Sequence, residues 1–180
     1  MPLTPFHYPI AYLLNRWKQQ LGLPALIVSS FTPDLDSLLY VITFGRIPME
    51  RTVLHSLLGV ATLGTFLSVM LTVFLYPSLV SFLFRLEKEG VREKCRFSVM
   101  LVVLCLLGGV LHVFVDSLHH PYNPLLYPFI NESFNELVLF NNPLYASLVV
   151  QSVLLTLLIF IFLWETGKKD KGFWNRVLLG

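Results

Sequence analysis

The sequence predicts an all-α integral membrane bundle of four to five hydrophobic segments, in which the first long segment is broken. Three observations carry that expectation. Of the 180 residues 55% are hydrophobic and 13% charged, with a mean hydropathy of +0.69, far too apolar for a soluble domain of this length. Several apolar runs reach the roughly 20 residues that a helix needs to cross the hydrocarbon core. The charged residues gather between those runs, as they do at membrane borders. Such spans use nearly the whole chain, so one membrane-embedded helical domain over residues 1–180 is expected, with no separate soluble module. The net charge of +2 sits in the border clusters; it points to membrane lipids as partners and not to nucleic acid.

Residues 1–20 open with prolines and aromatics, then place Ile10, Leu13, Leu14 and Trp17 at helical spacing in a segment too short to span. Arg16, Trp17 and Lys18 have the make-up of an interfacial anchor. The apolar run from Leu21 to Phe44 is interrupted at Ser-Ser-Phe-Thr-Pro-Asp-Leu-Asp. Thr32 before Pro33 is an N-cap and first-turn pair, which predicts a break near Phe31, a new helix from Pro33, and two carboxylates, Asp34 and Asp36, at the break. Irregular backbone at membrane depth needs burial in protein or a wet cavity.

A polar loop, Arg46 to Arg51, leads to a span over Val53 to Leu75 that carries His55 near its start, and Pro77 is expected to end or kink it. Residues 78–84 continue as a short extension into the basic loop 85–96. Phe97 to Leu118 is the next span, followed by residues 119–143, which contain no Lys or Arg. Within them Asn131 to Phe140 show helical spacing and predict a helix lying along the interface; Asn131-Glu132-Ser133 also matches a glycosylation acceptor. Leu144 to Trp164 is the last span, ahead of a basic tail.

The loop 85–96 holds five of the thirteen Lys and Arg residues and the tail holds four, so both are expected on the cytoplasmic side of the cell membrane. Asp34, Asp36, His55, His112, Asp116, His119 and His120 then fall in the outer half of the membrane or at its outer edge. His112 and Asp116 are four residues apart, so they share one helix face. Ionisable groups at such depth need partners. A divalent metal, zinc or manganese, takes mixed His and Asp ligands and offsets the carboxylates.

Plainer readings stand beside that one. Arg46 and Arg51 could neutralise one or two carboxylates, and Asp34 suits the first turn of a helix on its own account. Asp36 reads as a second ligand or as a partner behind the ligands. His55 could be a polar helix start, His119 and His120 ordinary loop residues, and His7 an interfacial residue. Gly59, Gly64, Gly108 and Gly109 read as sites of close helix approach.

The ordered set MPLTPFHY, SSFTPDLD, RTVLHSLLG and HVFVDSLHHPYNPLLYPF resembles the membrane-bound metal-dependent hydrolases of bacteria and archaea, the YdjM-like, LexA-regulated inner-membrane group. The resemblance covers about residues 1–130. It implies an inner-membrane hydrolase and, through that group's distant similarity to zinc-dependent phospholipase C, an all-helical enzyme with clustered metals. It also implies His7, Asp34, His55, His112 and Asp116 as metal ligands, with Asp116 a bridge between two ions. This chain departs from that group's pattern by carrying Arg51-Thr52-Val53-Leu54-His55 in place of Arg-Gly-x-Thr-His, and Phe31-Thr32 before Pro33-Asp34 where a Gly or Ala is usual; the ligand types are kept.

A ligand as early as His7 requires the N-terminal segment to descend from the outer side and return as a half-depth hairpin, residues 8–19 paired with 21–31. The expected function is a membrane-embedded, metal-dependent hydrolase acting on a phosphoester or ester of a lipid or lipid-linked substrate at the outer face, with Asp34 or Asp36 as general base. The alternative is a non-catalytic membrane protein that binds, senses or carries a divalent metal.

Overall fold

Long apolar helices joined by short 3-10 turns make up the chain, and no strand occurs among the described residues. The computed structural model describes residues 4–17, 22–45, 53–121, 123–130, 132–169 and 172–180. The polar loop with Arg46 and Arg51, the anchor residue Lys18, the glycosylation candidate Asn131 and positions 170–171 of the basic tail lie outside them.

A 3-10 turn, Thr4–His7, leads into α1, Tyr8–Trp17. Helix α2, Leu23–Phe31, is joined through the turn Thr32–Asp34 to α3, Leu35–Phe44. The turn Val53–His55 precedes α4, Leu57–Phe84. Helix α5 is Lys88–Lys94, α6 Val99–Ser117, α7 Pro143–Thr166 and α8 Phe173–Leu178. Four runs are long and apolar enough to cross a membrane: Leu23–Phe44, α4, α6 and α7.

Helices α1 and α2 form the expected hairpin. Gly22 makes the reversal at φ 116, a left-handed conformation that costs glycine little, and its N–H donates to Asn15 Oδ1 at 3.2 Å. Ten residues give α1 a rise of about 15 Å, enough to carry His7 up to the level of Ser30 and His112.

The tightest helix pair is α2 against α6. A Cβ on Gly108 would stand 2.0 Å from Ser29 Oγ and 3.1 Å from the Leu26 carbonyl oxygen, and one on Gly109 would stand 2.5 Å from Val60 Cγ2 of α4. Two adjacent glycines therefore let α2 and α4 approach α6 at backbone distance, the small-residue packing that membrane helices use. Leu23, Leu26, Leu104, Cys105 and Val60 fill the space around this seam. Helix α7 fully buries only a narrow line, Ala146, Leu154, Ile161 and Glu165, with Leu158 part-buried beside it and Phe162 edge-on to Tyr8 and Phe173.

Three local expectations are corrected. Thr32 does not cap the new helix, since its hydroxyl donates back to the Val28 carbonyl at 2.9 Å; the break itself lies where it is expected, with α2 ending at Phe31, a 3-10 turn over Thr32–Asp34 and α3 starting at Leu35 rather than Pro33. Pro77 neither ends nor interrupts α4, which runs on to Phe84. A π-helical turn, Leu71–Leu75, lies just before it and widens the helix where the proline lacks its N–H and would crowd the carbonyl four residues back. The interfacial helix is two short 3-10 turns, Asn135–Leu137 and Leu139–Asn141, because Val138 is extended and Phe140 and Asn141 adopt positive φ.

Candidate metal centre

The side chains that converge come from element ends. His7, Asp34 and His55 each close a 3-10 turn immediately before an α-helix. His112 and Asp116 lie one turn apart near the end of α6, and His119 follows in the turn beyond it. Ser56 starts α4 by accepting the Gly59 N–H at 2.9 Å, which sets the entry of His55; Ser117 bonds the Phe114 carbonyl. Both serines are structural.

Asp34 Oδ1 stands 3.5 Å from His55 Nε2 and 3.5 Å from His112 Nε2. Asp116 Oδ2 stands 3.6 Å from His55 Nε2 and 3.5 Å from His112 Nε2. The other oxygen of the same carboxylate, Oδ1, lies 3.3 Å from His7 Nε2 and 4.0 Å from His119 Nε2. Asp116 thus faces two groups of imidazoles, one with each oxygen. The rings of His119 and His120 are tilted against each other with centroids 4.3 Å apart, and His120 lies within ligand reach of the second group.

These separations lie at or beyond the long end of N–H···O hydrogen bonding, whose usual range is about 2.7–3.2 Å. All but the 4.0 Å separation to His119 are close to the edge of a coordination tetrahedron, in which bonds of about 2.0–2.1 Å put neighbouring ligand atoms roughly 3.3–3.4 Å apart. Asp34, His55, His112 and Asp116 offer four such atoms within 4.8 Å of one another, and Asp116, His119 and His120 offer three.

The outward nitrogens of the rings strengthen the case. His112 Nδ1 lies 2.6 Å from the Ser30 carbonyl oxygen and His119 Nδ1 lies 2.8 Å from that of Val115; a carbonyl only accepts, so each Nδ1 donates. His55 Nδ1 is 3.4 Å from Asp36 Oδ2. With the proton held at Nδ1, each neutral ring turns its Nε2 lone pair toward the carboxylates, an arrangement that calls for a cation between them. Protonating the rings instead would set positive charges together, for His7 and His112 are stacked with centroids 4.0 Å apart. Burial outweighs the pull of Asp116 and holds the His7 imidazole below the ordinary histidine range, in its neutral ligating form. The residues present therefore fit a divalent metal.

Asp36 does not join the convergence point. It sits behind His55, accepting also the Leu54 N–H at 3.3 Å, and so orients the His55 ring. Asn123 supports the cluster from outside it: buried, it donates to the Asp116 carbonyl at 3.2 Å and the His120 carbonyl at 2.9 Å, folding the post-α6 chain back so that His119 turns inward. The Asn-Pro step inside a proline-rich loop was the available signal for such a turn.

A family model described as YdjM inner membrane protein matches residues 7–179. The chain belongs to the YdjM inner membrane protein family. The match begins at His7 and runs through every residue of the cluster, so the cluster and all four apolar runs fall within this inner-membrane family's domain. No curated protein and no solved structure matches the chain.

Proposed function

We propose that this chain is a membrane-embedded, metal-dependent hydrolase that cleaves a phosphoester or ester in a lipid or lipid-linked molecule. The observation that carries the reading is the placement of Asp116, one carboxylate spanning two sets of inward-facing imidazole nitrogens. A shared carboxylate between two divalent ions is the arrangement that hydrolytic two-metal sites use. When bound, the metal would supply Lewis acidity and an acidified water.

His55, His112, Asp34 and Asp116 would hold one ion; His7, Asp116 and His119, with His120 beside it, would hold the other. Asp34 is 11% exposed while Asp116 and His55 are fully buried, so the approach to the cluster lies on the Asp34 side. Asp34 is accordingly the carboxylate placed to take a proton from an attacking water. Asp36 acts through His55 as a positioning residue. The positive-inside count supports an outer-face site with the C terminus in the cytoplasm, and the apolar surround supports a substrate delivered from the lipid phase.

A carrier would be expected to continue its polar groups through the membrane. Below the cluster, Ser68 Oγ lies 2.8 Å from both the Gly64 carbonyl oxygen and Thr32 Oγ1, and Thr72 donates to the Ser68 carbonyl, so these hydroxyls are taken up in helix packing. Phosphodiesterase, phosphatase and esterase assays on lipid substrates, with His112→Ala and Asp116→Asn controls, test the proposal. Turnover abolished by both substitutions is expected. Bound metal without turnover on any lipid ester or phosphoester would favour the carrier or sensor reading instead.

A further inference from the structure

At the end of the bundle away from the His and Asp cluster, Glu165 of α7 is fully buried and held from three directions. Its Oε1 accepts from the Tyr12 hydroxyl, from Arg16 Nη2 at 2.7 Å and from Lys168 Nζ at 2.5 Å. Its Oε2 accepts from Arg176 Nε at 2.5 Å, and Arg176 Nη2 reaches the Glu165 backbone oxygen at 2.9 Å. Arg176 spends its guanidinium on the Glu165 carboxylate and backbone, while Arg16 and Lys168 meet the other carboxylate oxygen from the exposed side.

Two of the three cations stay accessible: Arg16 is 47% exposed and Lys168 30%. They stand at a crevice of about 420 Å³ between α1 and α7, whose remaining wall includes Leu13, Phe160, Ile161 and Trp164. Phe160 and Trp164 stack along α7 with centroids 6.1 Å apart and are largely exposed. The crevice lies at the end of an apolar run, at a headgroup border.

We propose that this crevice binds an anionic phospholipid, with the phosphodiester between Arg16 and Lys168 and an acyl chain along Leu13, Phe160 and Trp164. Free phosphate would use the cations but leave the aromatic wall uncovered. A zwitterionic lipid would bring its own ammonium to a site already rich in positive charge. Glu165 holds both cations in place before the lipid arrives, which lowers the ordering cost of binding. Arg16 has donors enough to serve a carboxylate and a phosphate together. Basic pockets at helix borders are a recurring means of anionic lipid recognition.

The test uses full-length protein in neutral detergent with Trp17→Phe and Trp174→Phe, leaving Trp164 as the sole tryptophan of three. Phosphatidylglycerol and phosphatidylcholine, each with brominated acyl chains, are titrated while Trp164 fluorescence is followed. Quenching by the anionic lipid at a concentration on the order of tenfold lower is expected, weakened by salt and lost in Arg16→Gln/Lys168→Gln. Glu165→Gln supplies the second variant: the preference for the anionic lipid should persist, because the cations remain and their internal anion is gone. Equal quenching by the two lipids overturns the proposal, as does an unchanged preference in the double variant. Displacement of the anionic lipid by millimolar inorganic phosphate alone would likewise overturn it, since the apolar wall would then play no part.

Discussion

The Nδ1 atom of His112 lies 2.6 Å from the carbonyl oxygen of Ser30, a bond between two helices that can form only because α2 and α6 touch at backbone distance. It fixes the tautomer of His112 and aims Nε2 at Asp34 and Asp116 together. Helix packing and ligand geometry are therefore one property, and they should fail together.

Gly108→Val tests that coupling. The added Cβ would meet Ser29 Oγ at 2.0 Å and the Leu26 oxygen at 3.1 Å, forcing α2 away from α6. A loss of about 1–3 kcal/mol in stability is expected, together with weaker metal retention against a competing chelator. Gly90→Ala is the control, since nothing lies within 4 Å of its Cβ position. Thermal unfolding and chelator titration of both variants give the comparison.

Asp36 and His55 should separate in effect. On the proposed ligand set, His55→Ala removes a ligand and should abolish binding at the Asp34 group. Asp36→Asn leaves every ligand in place but loosens the ring of His55, and a weakening of roughly 10–100-fold in metal affinity is expected. Affinity measured with a competing chromophoric chelator distinguishes the two outcomes; equal losses would place Asp36 among the ligands.

Acid should strip the metal and loosen the hairpin in the same pH range. His7 has a folded pKa below its unfolded value, so its contribution to stability is present above pH of about 6.5 and is lost as pH falls through the lowered folded value. Protons also compete directly with the metal at imidazole nitrogens. Metal content and thermal stability should both be constant from neutral pH upward and decline together below about pH 6.5, with the stability component reduced in His7→Gln.

Much of this centre was legible in the chain. The i, i+4 spacing of His112 and Asp116, the Pro33-Asp34 turn and the alternation of apolar runs with basic loops require only helical periodicity and hydropathy. Other parts were not, because they depend on contacts remote in sequence. Asp36 lies two residues from Asp34, which on a regular helix turns it away from the ligand; its partner is His55, brought in by a different turn. The Ser30 carbonyl is one of many until a pair of glycines brings α6 against it. Glu165 reads as an ordinary helix-end carboxylate, although Arg16 lies 149 residues away in sequence. Helix continuity through Pro77 rests on a π-turn that leaves no mark in composition.

The hairpin sets the cluster and the Glu165 group at opposite ends of the bundle, and the positive-inside count predicts which end faces outside. Helix α1 descends from the cluster and α7 ends beside Arg16, so cysteines placed at residues 1 and 180, in a background lacking Cys95 and Cys105, should be labelled from opposite sides of the membrane, the first from outside. Labelling of both from the cytoplasm would contradict an outward-facing cluster.

The most direct test of the whole account is the metal content of the purified full-length protein, measured by elemental analysis beside its His112→Ala and Asp116→Asn variants. The wild-type chain should carry zinc or manganese at one to two ions per chain, and each substitution should remove most of it while the helical content stays unchanged. A wild-type chain free of divalent metal after metal-replete purification, or variants that keep their full complement, would contradict the central claim.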